Sequence, residues 1–477
     1  MSLNQFIQQE RHGSFLNGEF VTPRNRDGID LISPTTKQKW KTIIPATQED
    51  TKRAIEFADF AFRQWRWIPP PTRSKILQRC ADLLMENQQL LAEVMTMEMG
   101  KTIREGLKEV EYTSGYFHWF AGEAERIYGV TLHSENAEKR IMILPEPIGV
   151  AAMITPWNFP LAMGGRKIAA ALAAGCTAII KPSSECPIST LAIAYLLREA
   201  GLPPGAINVV VGPEQEIGEV FLKSPVVRKL AFTGSCEVGR YLYAQSGQTL
   251  KKLTMELGGH APVLIFDDAL LDRAVEGTIA AKFRNSGQSC IAANRILVQE
   301  NIYPKFLEKF VARVKSMRVG DPLDPNTDLS NVIHKTSREK VKSQIEDAVS
   351  KGAHIVLQGN DSAYPTILTD VTPKMNIFTE ETFGPVAPIT RFKTMEEAVS
   401  LANDSQYGLA SYLFTESLTC GHFVIGALEY GIIGLNDGLP SAPQGSFGGI
   451  KNSGFGREGG PSGIKEYLVD KYVSIVM

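Results

Sequence analysis

The sequence predicts an α/β protein made of two doubly wound parallel-sheet domains, a helical N-terminal region and a β arm. Three observations carry this. Short β-rich runs begin to alternate with helical runs near residue 147, the same alternation restarts near 261, and 477 residues are too many for a single hydrophobic core.

Taken in order, residues 50 to 120 are helical. "TKRAIEFADFAFRQW" and "RSKILQRCADLLMENQQLLAEVMTMEMGK" place apolar residues three and four apart, and Pro69, Pro70 and Pro71 separate them. Residues 124–146 alternate like a hairpin, and the tail "IKEYLVDKYVSIVM" ends in another strand-like run; together they make an arm able to complete a partner's sheet. The first α/β set runs "GVAAMIT", "RKIAAALAAG", "TAIIKP", "ISTLAIAYLLREAG", "INVVVG", "EIGEVFLKS" and "KLAFTGS". The second contains the strands "APVLIF", "RILVQ", "HIVLQ", "APITRF", "ASYLFT" and "GIIGLN". The Gly-Gly pair in "MELGGHAP" marks the boundary. This gives one domain from 1–123 and 147–257, a second over 258–445, and an arm and tail from 124–146 and 457–477.

Composition removes several classes of function. A net charge of −2 offers no global attraction for nucleic acid or an anionic membrane, so an anionic ligand must be held by local groups. The longest apolar stretch, "IAAALAAGCTAII", is 13 residues and too short to span a bilayer. The six cysteines form no C-x-x-C pair, and no histidine spacing suits a metal; they read as reduced thiols of a cytoplasm-like compartment.

Several turns could carry chemistry. "GFGREG" at 454–459 fits G-x-G-x-x-G but has no leading strand and no room for a following βαβ unit, so it is not read as a nucleotide loop. "VVVGPEQEIG" and "LAFTGSCEVG" are better, with glycine and small polar residues where a helix begins and its N–H groups can hold a pyrophosphate. Lys181, in "IIKPSSECP", either meets a ribose at a strand's carboxyl end or simply closes that strand. Two prolines fix the backbone around Trp157 and Asn158, where an amide can donate to an oxyanion. Glu256 precedes the Gly-Gly pair and is a candidate base; Cys290, among small and polar residues, is a candidate nucleophile with no histidine nearby.

In this order, "PWNFP", "KPSS", "FTGS-x-x-VG", "ELGG", "FRN-x-GQ-x-C", "E-x-FGPV" and "FGG-x-K-x-SG-x-GRE" make the chain resemble the aldehyde dehydrogenase superfamily over nearly its whole length. The resemblance implies two Rossmann-like domains and a β oligomerisation arm. It implies Cys290 as the thiolate that attacks an aldehyde, Asn158 as oxyanion donor and Glu256 as the base that activates water. It places NAD(P) along Ile154, Trp157, Lys181, Ser184, Gly212, Gly234, Ser235, Leu257, Glu381 and Phe383, with no metal. A homodimer or homotetramer is expected.

Within that resemblance, two positions bear on selectivity. NAD-preferring relatives commonly carry glutamate three residues after the lysine; Ser184 stands there, which favours NADP over NAD. Arg166, Arg284 and Ser441 match the positions that bind the distal carboxylate in succinate-semialdehyde dehydrogenases, so a small acidic aldehyde is the expected substrate, with glutarate semialdehyde or another short polar aldehyde as the alternative. Either arginine could instead serve a structural ion pair. Ala292 replaces a second cysteine common in close relatives, so the disulfide switch that cysteine would allow should be absent. Pro440, Pro443 and Ser446 are atypical of the loop before Phe-Gly-Gly, and His260 replaces the usual Asn or Lys.

Overall fold

The computed structural model describes every residue except 24, 331 and 360–363. Its first large sheet has eight strands, in the order Gly454–Phe455, Lys252–Glu256, Val227–Thr233, Val150–Ile154, Thr177–Lys181, Ile207–Val209, Ser14–Leu16 and Glu19–Val21. The five central strands are parallel. The outer pairings are antiparallel, which the sequence pattern did not reveal. Burial explains the apolar runs: Thr177–Lys181 is buried at every position because helices cover both faces of the sheet. The helices Ala162–Ala174 and Pro187–Glu199 lie against it, the first under the long helix Ile103–Ala124.

Strand order sets the position of the site. From Val150–Ile154 the chain builds outward through Thr177–Lys181 and Ile207–Val209, then returns to the other side with Val227–Thr233. The direction therefore reverses between Val150–Ile154 and Val227–Thr233, leaving a crevice beyond their carboxyl ends, where open α/β sheets bind ligands. "TPWN" and "GS" emerge there.

The second sheet has seven strands, in the order His354–Leu357, Thr366–Thr369, Val386–Phe392, Ala293–Gln299, Ala261–Ile265, Ala410–Phe414 and Ile432–Leu435. All its pairings are parallel except that of His354–Leu357 with Thr366–Thr369. A third sheet joins Val130–His133, Lys139–Pro147 and Leu468–Val476, pairing tail and hairpin within one chain from Leu468 opposite Pro147 to Val476 opposite Lys139.

Two segments are more finely divided than the sequence pattern suggests. The long second helical run breaks at Asn87, whose φ of −111° and ψ of 20° separate Pro70–Glu86 from Gln88–Met99. Within 457–477 only Leu468–Val476 runs in the arm; Glu458 is buried, and Gly460–Lys465 is a helix packed on Ile103–Ala124 and Ala162–Ala174.

Candidate active site

Cys290 stands at the end of a tightly wound loop. After helix Leu271–Phe283 the backbone turns left-handed at three successive residues, Asn285 (φ 53°), Ser286 (54°) and Gly287 (77°). Such conformations are costly for non-glycine residues and persist only where neighbours enforce them. Here Asn285 Nδ2 donates to the carbonyls of Asn158 (3.0 Å) and Gln288 (3.1 Å), Gln288 Nε2 donates to Asn285 O (3.1 Å), and Ser286 Oγ donates to Ser330 O (2.8 Å). Gly259 allows the other close approach: a Cβ there would lie 2.1 Å from Cys290 O.

Asn158 is held from both sides. Its carbonyl accepts from Lys101 Nζ and Asn285 Nδ2, each at 3.0 Å, and its own Nδ2 donates to Gln288 O at 3.2 Å. An amide nitrogen has two hydrogens, so one is left for a ligand. Lys101 is itself paired with Glu109, their side chains 0% and 1% exposed, and Glu109 Oε1 accepts the N–H groups of Leu161 and Ala162 at 3.0 Å. The anchor of Asn158 is thus also a cap on the next helix.

Glu256 ends strand Lys252–Glu256, buried, with neither carboxylate oxygen finding a partner among the described residues. Burial, reinforced by the nearby Glu458, pushes it well above the ordinary carboxylate range, against Arg166, Lys167 and Arg457. Glu458 is held below that range: Arg166 and Lys167 overcome the desolvation that opposes it. Burial pushes the Cys290 thiol up to about 12, with the Arg166 charge pulling the other way. The resting thiol is therefore neutral, while Glu256 has the raised affinity for a proton that suits a base.

Two cavities meet at the crevice. One of about 280 Å³ is bounded by Trp157, Asn158, Leu257, Cys290, Glu381 and Phe383, and one of about 510 Å³ by Ile154, Lys181, Glu214, Gly234, Ser235 and Tyr241 among others. They share Pro156, Thr233, Gly234 and Ser235 as walls, and so form one elongated groove. Helix Cys236–Ser246 starts at that shared wall, its Ser235 cap accepting from Val238 N at 3.3 Å. Phe383, left-handed at φ 54°, meets Trp157 edge-on with ring centres 5.7 Å apart. Glu381 Oε1 accepts from Gly259 N at 3.0 Å, and burial pushes its carboxyl up to about 7. Gly212 lies behind the groove, its carbonyl 2.9 Å from Ser184 Oγ. A helix N-terminus at mid-groove, a lysine at one end and a thiol at the other fit a dinucleotide.

A model of the aldehyde dehydrogenase family matches residues 20–473. The chain belongs to the aldehyde dehydrogenase family. It is 44% identical to a succinate-semialdehyde dehydrogenase, NADP(+), of Escherichia coli (strain K12), covering 99% of this chain and 98% of that one. It is also 44% identical to a glutarate-semialdehyde dehydrogenase of Pseudomonas putida, over 98% of both. The crystal structure of a succinate-semialdehyde dehydrogenase from Burkholderia pseudomallei superposes with a TM-score of 0.96, at 44% identity and 98% coverage of both chains.

In this aldehyde dehydrogenase the two arginines expected at the substrate differ. Arg284 lies over the Phe159 ring, 4.8 Å from its centre, and its charge acts on the buried Glu105 carboxyl without an ion pair among the described residues. Arg166 is fully buried: its Nε faces Glu458, its guanidinium lies over Phe447 at 4.5 Å, and Nη1 and Nη2 have no hydrogen-bond partner among the described residues. One edge of Arg166 is a structural ion pair and the other is uncommitted. Ser441 Oγ contacts Tyr112 Oη, which lies 2.8 Å from Tyr116 Oη.

Arg295 is structural, bonded to the carbonyls of His260, Leu401 and Ala402 and to Tyr430 Oη. His260 is buried with Nε2 2.8 Å from Phe378 O; burial, then Arg295, hold it well below the usual histidine value, so it stays neutral. Sequence reasoning missed Lys101, Glu109, Glu458, Asn285, Gln288 and Glu214. The last four lay inside quoted motifs, but a motif names a residue without naming its partner.

Proposed function

We propose that this aldehyde dehydrogenase oxidises succinate semialdehyde to succinate with NADP or NAD. The observation that carries the reading is the pair of arginines near Cys290: Arg284 in no ion pair, and Arg166 with two buried nitrogens uncommitted, among the described residues. Buried guanidinium N–H groups left unsatisfied are costly, and a substrate carboxylate would satisfy them with charge-assisted bonds. Ser441, at the Tyr112 hydroxyl, supplies the third contact.

The chemistry follows from the geometry. Cys290, once deprotonated, attacks the aldehyde carbon. The resulting oxyanion is met by the free hydrogen of Asn158 Nδ2 and by the Cys290 backbone N–H, each such donor being worth about 3–4 kcal/mol. Bound in the groove, NAD(P) supplies the hydride acceptor, leaving a thioester on Cys290. Ile154, Trp157, Lys181, Ser184, Gly212, Gly234, Ser235, Leu257, Glu381 and Phe383 would hold it there. Glu256 then takes a proton from the water that releases the acid, and its raised proton affinity serves that step.

We also assign 1–123 with 147–257 to the cofactor, 258–445 to catalysis, and 124–146 with the tail strand Leu468–Val476 to an arm through which copies pair as a homodimer or homotetramer. A cytoplasmic location is part of this proposal; no helix among the described residues is long and apolar enough to cross a membrane. Glutarate semialdehyde is the second reading, favoured by the Pseudomonas putida relative; one methylene alters selectivity by about 1–3 kcal/mol.

The test is spectrophotometric. Succinate semialdehyde should drive formation of reduced nicotinamide, and Arg284→Ala should raise KM for it far more than for a neutral aldehyde of similar size. Equal losses for both substrates would refute the carboxylate role.

A further inference from the structure

Glu214 stands at the end of the groove far from Cys290, as the first residue of helix Glu214–Lys223. Its carboxylate contacts Lys181 Nζ, and Oε1 lies 2.7 Å from Ser184 Oγ. Ser184 has one proton to give and a second acceptor, Gly212 O, at 2.9 Å. The Lys181 side chain is 1% exposed and that of Glu214 is 66% exposed, so the cation sits in the wall and the carboxylate faces the cavity mouth.

The charges around this end of the groove are unfavourable to an anion. Among the described residues lining the larger cavity, Lys181 is the one cation, against Glu214 and Glu219. Glu219 is neutralised by Lys223 at 2.9 Å on the same helix, whereas Glu214 has taken Lys181. No arginine is among the described residues that line the cavity. A phosphate on the ribose 2′ oxygen brings roughly two negative charges at neutral pH. It would have to displace Glu214 from Lys181 or sit beside an unpaired carboxylate. A free ribose diol has two O–H donors to offer, and Glu214 is an acceptor already oriented by Lys181 and Ser184.

We propose that Glu214, reaching in from the following βα turn, supplies the acidic group that position 184 lacks and makes this enzyme prefer NAD to NADP. Ser184 alone favours the phosphorylated cofactor; the Lys181–Glu214 contact reverses that preference. The proposal rests on reading the groove as the dinucleotide site.

The experiment is a titration of the purified full-length chain with NADH and with NADPH, followed by fluorescence, for the wild type, Glu214→Gln and Glu214→Ala. Wild type should bind NADH about tenfold more tightly than NADPH or better, a difference of about 1.4 kcal/mol. In both variants NADPH should bind more tightly than in the wild type while NADH binds more weakly, so the ratio collapses. Loss of local structure alone would weaken both nucleotides together and would overturn the proposal. So would NADPH binding to wild type as tightly as NADH, or a ratio unmoved in both variants, with the dinucleotide site left standing. If neither nucleotide binds the wild type, the assignment of the groove falls first and the role of Glu214 with it.

Discussion

Replacing Lys101 by methionine separates positioning from stability. Its ammonium does three things: it neutralises Glu109, donates to Asn158 O at 3.0 Å, and lies 4.2 Å from the centre of the Phe159 ring. Removing one partner of a buried ion pair costs about 3–5 kcal/mol because the other charge is stranded. The remaining losses are small. Asn158 O keeps Asn285 Nδ2 as a donor, and a methionine sulfur against Phe159 recovers about 0.3–1.5 kcal/mol of the lost cation–π contact. Lys101→Met should therefore destabilise by about 3–5 kcal/mol, measured as the shift in urea unfolding at fixed protein concentration. Adding Glu109→Gln removes the stranded charge while an amide oxygen still accepts from Leu161 and Ala162, so the double variant should regain more than half of that loss. Catalysis should not recover with it. The turn carrying Asn158 has lost one of its two carbonyl anchors, and a misplacement near 1 Å costs about 10²-fold in rate. Single and double variants should thus share a kcat about 10–100-fold down, with KM for the nucleotide little changed. A double variant that regains wild-type kcat, or a single variant destabilised by less than about 1 kcal/mol, would refute the reasoning.

Other perturbations isolate single steps. Asn158→Ala should lower kcat by about 10²–10³-fold with the fold intact, because Asn285 Nδ2 still holds Gln288 O; steady-state kinetics beside a melting curve measures both. Glu256→Gln should preserve a rapid burst of reduced nicotinamide, near one per subunit, and slow later turnover by about 10²–10⁴-fold; a lost burst would mean that Glu256 also deprotonates the thiol. Because burial raises the Cys290 thiol, its neutral form persists as pH rises. Alkylation of the Cys290 peptide in the nucleotide-free protein, followed by mass spectrometry, should go on accelerating beyond the ordinary thiol value of about 8.5 rather than level off there.

The sequence made some of this legible for a clear reason. Cys290, Glu256 and Asn158 each sit where a strand or helix ends in a turn of unusual composition, and both the turn and its place in the alternating pattern are local properties. The central strands were readable because burial on both faces leaves continuous apolar runs. Antiparallel edge strands such as Glu19–Val21 and Gly454–Phe455 are three and two residues long and carry no period. The buried charges were not readable at all. Nothing near Arg166 or Lys167 announces that their counter-charge is Glu458, nearly three hundred residues on, and nothing near Lys181 announces Glu214. Such partnerships exist only once the sheet has brought distant turns together, which is why Arg166 could be read only as a substrate ligand or an ion pair; one edge forms the ion pair, and the other has no partner among the described residues.

The late return of the chain also governs the order in which it can be made. Arg166 and Lys167 are translated long before Glu458, and the hairpin Lys139–Pro147 long before its neighbour Leu468–Val476. At about 5–20 residues per second, a ribosome leaves two buried cations without an anion, and one strand edge open, for tens of seconds. The first half of the molecule waits on the second for these partners. Its buried charges and its third sheet are complete only once Glu458 and Leu468–Val476 have been made and brought back to Arg166, Lys167 and Lys139–Pro147.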